Sequence, residues 1–165
     1  MPNQTNHAAA FRGLVLSPVK FRLFLLARLP MAYLAGLRVT DISEAKATVR
    51  VPYKYLNKNP FKSIYFACLS MAAELSTGVL CMTQVYKSQP AVSMLVVRMD
   101  AEFTKKAIGK ISFTCHDGQA IAAAAAKTKA TGEGVTVVAT SVGTDESGEP
   151  VATFRFTWSL KAKRK

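Results

Sequence analysis

Glu74 is the one carboxylate inside the apolar run Ile64–Met82, IYFACLSMAAELSTGVLCM. A charge in such surroundings is costly unless it is paired, hydrogen-bonded or neutralised. A carboxylate held there has a raised pKa, which suits general acid or base chemistry. The competing role is structural: a glutamate at a subunit interface, bonded to a hydroxyl or a backbone N–H. The remaining reactive side chains offer less. His7 and His116 are the only histidines, and Cys68, Cys81 and Cys115 are widely spaced with no CxxC pair. No zinc-ligand set can be assembled at normal spacing. Cys115 and His116 are neighbours on a predicted strand, so they point to opposite faces and do not form a nucleophilic pair.

The charge balance points to anionic partners. The chain has 165 residues, 22 basic and 10 acidic, for a formal charge of +12. That excess favours polyanions or a phosphate-bearing small molecule such as coenzyme A, or it simply keeps the surface soluble. The sequence lacks the basic–aromatic interleaving of RNA modules and any recognised DNA-reading helix, so nucleic acid ranks last among these partners. Three unpaired cysteines among apolar neighbours predict reduced, buried thiols and a cytoplasmic protein. The run Ile64–Met82 is long enough to cross a bilayer, but Glu74 at its centre favours a buried core helix. Before residue 40 there are Arg12, Lys20, Arg22, Arg28 and Arg38 and no acid. That resembles a transit peptide or an interfacial helix. A helix docked on the domain ranks above both, and membrane association below it.

The elements that must hold Glu74 follow from periodicity. Residues 1–16 are read as a loose N-terminal segment. Ser17-Pro18 starts a helix over 17–35, bent or ended at Pro30. Alternation predicts strands at Leu37–Ser43 and Ala45–Pro52 as a hairpin, then at Val92–Phe103, Gly109–Cys115, Val135–Gly143 and Pro150–Leu160. Between them lie a loop over Tyr53–Lys62 and a central helix over 63–86, in which Gly78 lets a strand or helix approach closely. Asp117-Gly118 breaks the chain and caps a small surface helix over 118–131. Residues 161–165 form a basic, frayed tail. The result is one α+β domain, residues 17–160, with an antiparallel sheet wrapped around a long helix. One sheet covers only part of such a helix, and a second subunit commonly covers the rest.

This order, with the loop and helix residues, resembles the hotdog fold of acyl-CoA thioesterases, over roughly residues 20–160. Within it the chain is similar to the phenylacetyl-CoA thioesterase-like branch, and most to its uncharacterised members. In those enzymes a loop Asn precedes a His-Gly-Gly turn at the helix start, and an acid follows fifteen residues after the Asn. Asn59 and Glu74 stand fifteen apart here. The resemblance implies Glu74 as general base or nucleophile on a thioester, and Asn59 as the group that orients a carbonyl or the attacking water. Asn59-Pro60 is also a common turn start, so a loop cap competes for that residue. The chain departs from the pattern at Tyr65-Phe66-Ala67, which replace His-Gly-Gly. Their backbone N–H groups at a helix N-terminus still suit an oxyanion, but each carries a Cβ where glycine leaves open access.

Supporting roles follow the same resemblance. Thr77, one turn beyond Glu74, either serves the carboxylate or bonds back to its own helix backbone. Ser93, on the strand after the helix, is a helper hydroxyl. Lys62, Arg98, Lys105 and Lys106 meet the phosphates of coenzyme A, or else line a solvated strand edge. Phe61, Tyr65, Phe66 and Met71 line an acyl pocket, or are plain core. The expected activity is hydrolysis of an acyl-CoA or acyl-carrier thioester by a homodimer or a dimer of dimers. No metal is expected, and no cofactor beyond the substrate's own coenzyme A. The alternative is a non-catalytic acyl or acyl-CoA binding protein.

Overall fold

The computed structural model describes residues 2–163, with side chains from His7 onward. Three helices come first: α1 (Pro2–Leu16), α2 (Pro18–Arg28) and α3 (Pro30–Ala35). Ser17 takes the N-cap of α2, its hydroxyl accepting from the Lys20 N–H, with Pro18 in the first turn. Pro30 restarts the chain as α3, and Gly36 closes that helix in the left-handed region at φ 75°. Six strands and two more helices follow: β1 (Arg38–Ile42), β2 (Ala47–Pro52), α4 (Phe66–Val85), β3 (Val92–Phe103), β4 (Lys110–Cys115), α5 (Gly118–Thr131), β5 (Gly134–Thr144) and β6 (Pro150–Ala162). All pairings are antiparallel, in the order β1-β2-β4-β5-β6-β3. The sheet wraps α4, which is the hotdog arrangement expected from the sequence.

Helix α4 is apolar on every side because every side is used. Leu75 to Cys81 are buried without a break, which no amphipathic helix could show. It packs on β2, β4 and β5 across one face and against α1 and α5 elsewhere. It is the one helix among the described residues long and apolar enough to cross a membrane, and it is the core of this domain. The helix starts at Phe66 rather than at residue 63 because the preceding N–H groups are taken by strand-like bonds. Ile64 donates to the Ala107 carbonyl at 2.8 Å and Tyr65 to the Asn57 carbonyl at 2.6 Å.

Three local expectations change. The segment before Ser17 is helical from Pro2, and it is docked: Phe11 and Val15 are 2% and 1% exposed in the main core. The Ala-rich composition hid two anchors one helical turn apart. The start of the tail is likewise structured, since β6 runs to Ala162 and Lys163 donates to the Ala91 carbonyl at 2.7 Å. Arg164 and Lys165 lie outside the described residues. Asp117 does not cap α5 with its side chain. Its carboxylate accepts the Thr140 N–H of β5 at 2.7 Å, tying the helix start to the sheet. The helix buries Ile121, Ala125 and Thr128, so it is half core rather than purely surface.

Strand β3 is an edge of the sheet. A register shift between Val96 and Arg98 breaks its pairing with β6. Leu95, Val97 and Met99 are 64%, 53% and 45% exposed there. A twelve-residue open edge with apolar side chains is an association surface unless something covers it.

Candidate active site

The loop before α4 is organised by two asparagines with different tasks. Asn57 is fully buried. Its amide donates to the Ala35 carbonyl at 2.8 Å and to the Pro52 carbonyl at 2.7 Å, joining α3, β2 and the loop. Its own carbonyl takes the Tyr65 N–H, which fixes the entry into α4. Asn59 is a loop cap. Its side-chain oxygen accepts from the N–H groups of Phe61 and Ser63 at 3.0 and 3.2 Å, and its amide donates to the Ser63 hydroxyl at 3.0 Å. These bonds hold a turn in which Lys62 takes φ 59°. Of the two roles open to Asn59, the geometry shows the cap.

The helix start offers two donors, not three. Tyr65 N–H is engaged by Asn57. Phe66 and Ala67 are the first two residues of α4, and their N–H groups have no partner among the described residues. The first turn of a helix leaves such groups free, and the helix dipole adds positive potential there. Phe66 borders a cavity of about 520 Å³, lined also by Asn59, Phe61, Tyr65, Phe103, Lys105 and Lys106 among others. Tyr65 and Phe66 meet edge to face at 4.9 Å, and Phe66 and Phe103 at 6.5 Å. The mouth is basic. Lys105 is held by Asp145 at 2.6 Å, whose carboxyl is kept well below the usual range by that ammonium and by the Ser147 hydroxyl. Lys106 makes no ion pair among the described residues.

Glu74 lies in a different cavity. About 600 Å³ in size, it is walled by Phe11 of α1, Phe21, Phe24 and Arg28 of α2, Met94 and Val96 of β3, and Trp158 of β6. Burial pushes the Glu74 carboxyl above the usual range. The carboxylate has no hydrogen-bond partner among the described residues. Every fully buried side-chain polar atom there is paired, so the Glu74 oxygens are ones that reach the cavity. Gly78, one turn on, makes the room. A Cβ at that position would stand 3.2 Å from Glu74 Oε1 and 3.6 Å from Trp158 Cζ2. The glycine therefore leaves room both for the helix's own carboxylate and for the Trp158 ring of β6. Thr77 donates to the Glu74 carbonyl at 2.9 Å and accepts from the Trp158 indole N–H at 2.9 Å. It bonds to the backbone, as one expectation had it, and it locks the ring that forms the cavity wall.

Within one chain the two halves do not meet. Eight residues separate Phe66 from Glu74, about 12 Å along a helix axis, and the fifteen-residue step from Asn59 spans two cavities. Ser93 is exposed and donates to the Lys161 carbonyl at 3.1 Å. Arg98 is exposed on β3 beyond the register shift, and Lys62 is exposed on the loop. None of these three lines either cavity. Of the sequence-derived set, Asn59, Phe61, Tyr65, Phe66, Lys105 and Lys106 come together at the helix start, and Glu74 stands apart with its own wall. Trp158, Asn57 and the phenylalanines of α1 and α2 were not identified from the sequence, and Gly78 was noted only as a point of close approach. Only Gly78, four residues from the acid, carried a local signal.

The sequence matches the family Domain of unknown function (DUF4442) over residues 19–160. No functionally curated protein matches it. Several solved structures share the fold. PA5026 of Pseudomonas aeruginosa, described as a probable thioesterase, superposes with a TM-score of 0.74 at 23% identity, covering 89% of this chain and 97% of that one. The Haemophilus influenzae thioesterase HI1161 gives 0.60 at 11% identity, over 85% and 88%. The Escherichia coli PaaI protein of the phenylacetic acid degradation operon gives 0.62 at 14%, over 92% and 96%. At these identities the likeness is one of fold.

Proposed function

The chain belongs to the DUF4442 family, and on that premise we propose that it is a thioester hydrolase whose active site is completed across a homodimer, with Glu74 as its acid–base group. The observation that carries this reading is the Glu74 carboxylate: unpartnered, desolvated, and open to an apolar groove with Gly78 cleared beside it. A structural glutamate would have a hydrogen-bond partner. The solved thioesterases of the same fold make thioester cleavage the reaction class that fits it.

A second copy supplies what one chain lacks. The open edge of β3 is the surface on which it docks, and antiparallel pairing of two such edges about a two-fold axis sets the two α4 helices antiparallel. The start of one helix then faces the body of the other. In that arrangement the Phe66 and Ala67 N–H groups of one protomer hold the thioester carbonyl oxygen, and Glu74 of its partner removes a proton from water. The water oxygen bonds to the acyl carbon, the carbon–sulfur bond breaks, and the thiolate leaves with that proton. Attack by Glu74 itself, through an acyl anhydride that water then cleaves, is the nucleophilic variant. The apolar Glu74 cavity suits an acyl or aryl group, and the basic mouth around Lys106 suits the phosphates of coenzyme A or of an acyl carrier. The three buried, free cysteines suit the reducing cytoplasm.

The second reading is a non-catalytic acyl-binding protein. It is favoured by the side chains of Tyr65 and Phe66 at the oxyanion position and by the engagement of Asn59 within its own loop. Incubating the pure chain with short, long and aryl acyl-CoAs and following free thiol separates the two. Turnover that Glu74→Gln abolishes, with the melting temperature not lowered, supports the hydrolase. Saturable binding with no thiol release supports the carrier, and turnover untouched by Glu74→Gln removes the assigned role of the residue.

A further inference from the structure

Helix α2 is apolar on two opposite faces. One carries Phe21 and Leu25, 3% and 1% exposed, and docks the helix on the domain. The other carries Val19, Leu23 and Leu26, which are 70%, 62% and 51% exposed and spaced four and three residues apart, so they form one stripe. The following α3 adds exposed Met31 and Leu34. Five exposed apolar side chains on two consecutive, contacting helices mark an interaction surface rather than scattered exposure.

The surroundings specify the partner. Lys20 lies on one flank of the stripe and Arg22 on the other, by helical spacing. The Arg22 guanidinium is steadied 4.5 Å above the Tyr33 ring. Lys20, Arg22, Arg28 and Arg38 make no ion pair among the described residues, and no acid precedes Asp41 in the chain. An apolar stripe between cations, with no opposing charge, complements an anionic lipid surface: the leucines enter the acyl boundary while the ammonium and guanidinium groups sit at the phosphates. A second copy of the chain is a weaker match, because it would bring the same cations against each other and because the β3 edge already provides for it.

We propose that the outer face of α2, continued by α3, docks this protein on anionic membrane surfaces. The docking leaves the rest of the domain in water, with the other side of α2, through Phe21 and Phe24, forming the wall of the Glu74 cavity. The proposal does not depend on the hydrolase reading.

The full chain is sedimented with phosphatidylcholine vesicles and with equimolar phosphatidylcholine–phosphatidylglycerol vesicles, alongside size-exclusion chromatography. Binding to the mixed vesicles is expected. Leu23→Gln/Leu26→Gln, which keeps every charge, weakens it by at least about tenfold with the melting temperature retained. Lys20→Glu lowers the preference for the anionic vesicles about fivefold or more. If the leucine variant unfolds, Val19→Gln/Met31→Gln reads the same surface. The proposal is overturned if the wild type stays in the supernatant with mixed vesicles, or if the glutamine variants bind as well as wild type. It is overturned equally if those variants change the oligomeric state of a protein that binds no vesicles, which would assign the face to a second copy.

Discussion

Gly78→Ala should separate stability from activity. Glycine in a helix interior is about 1 kcal/mol less favourable than alanine, and α4 (Phe66–Val85) continues well beyond this position on both sides. The Trp158 ring at 3.6 Å from the new methyl is in ordinary van der Waals contact. The substitution therefore raises stability by up to about 1 kcal/mol, or about 2–4 °C in melting temperature for a chain of this size. The same methyl would stand 3.2 Å from Glu74 Oε1, so the carboxylate must move by a few tenths of an ångström. Since a 1 Å misplacement costs roughly 10²-fold, this shift should lower kcat about tenfold or less, with KM nearly unchanged. Thermal unfolding and thiol release on one preparation read both quantities. A variant that melts lower and hydrolyses as fast as wild type would refute the placement of Glu74 beside Gly78.

The raised Glu74 carboxyl has a signed consequence. Its folded pKa lies above its unfolded one, so the folded state binds more protons between the two, and the stability it contributes is full below the unfolded pKa and lost as pH rises through the folded pKa. Glu74→Gln should thus melt higher than wild type at neutral pH, with the gain vanishing in acid, and activity of the wild type should rise with pH through a pKa above that of an ordinary glutamate. Asn57→Ala removes two buried hydrogen bonds and strands the Ala35 and Pro52 carbonyls, a loss of about 2–4 kcal/mol by denaturant unfolding, whereas Asn59→Ala costs about 1 kcal/mol. If the proposed dimer forms through the β3 edge, Leu95→Arg should shift it to monomer on a sizing column and abolish thiol release while leaving the fold intact by circular dichroism.

Much of the fold was legible because its signals are local. Period-two alternation marks β2 through β6, and Ser17-Pro18 with Pro30 marks the ends of α2 and α3. Residues 2–16 were not legible, because their helix is held by Phe11 and Val15 against a core that the segment itself does not encode. The same limit applies to the site. Glu74 stands out from its neighbours in sequence, since a charge in an apolar run is anomalous wherever it occurs. Its spacing from Asn59 suggests one constellation, yet the rise of α4 puts the two in separate cavities, and Asn59 is engaged in its own loop while the buried work falls to Asn57. Trp158, eighty-one residues from Thr77, becomes its partner only once β6 lies along α4.

The central claim, a site shared between two protomers, is tested by mixing two inactive variants. Glu74→Gln removes the acid. Phe66→Pro removes one oxyanion donor at a first-turn position where proline is tolerated, and Tyr65 before it already has the extended backbone, φ −61° and ψ 133°, that a following proline requires. Each alone should lose about 10²-fold in thiol release. Exchanged in equal amounts, half of the dimers are mixed and each of these holds one intact site of two, so about a quarter of wild-type activity should return. No recovery from fully exchanged mixed dimers would place both groups in a single protomer and contradict the account.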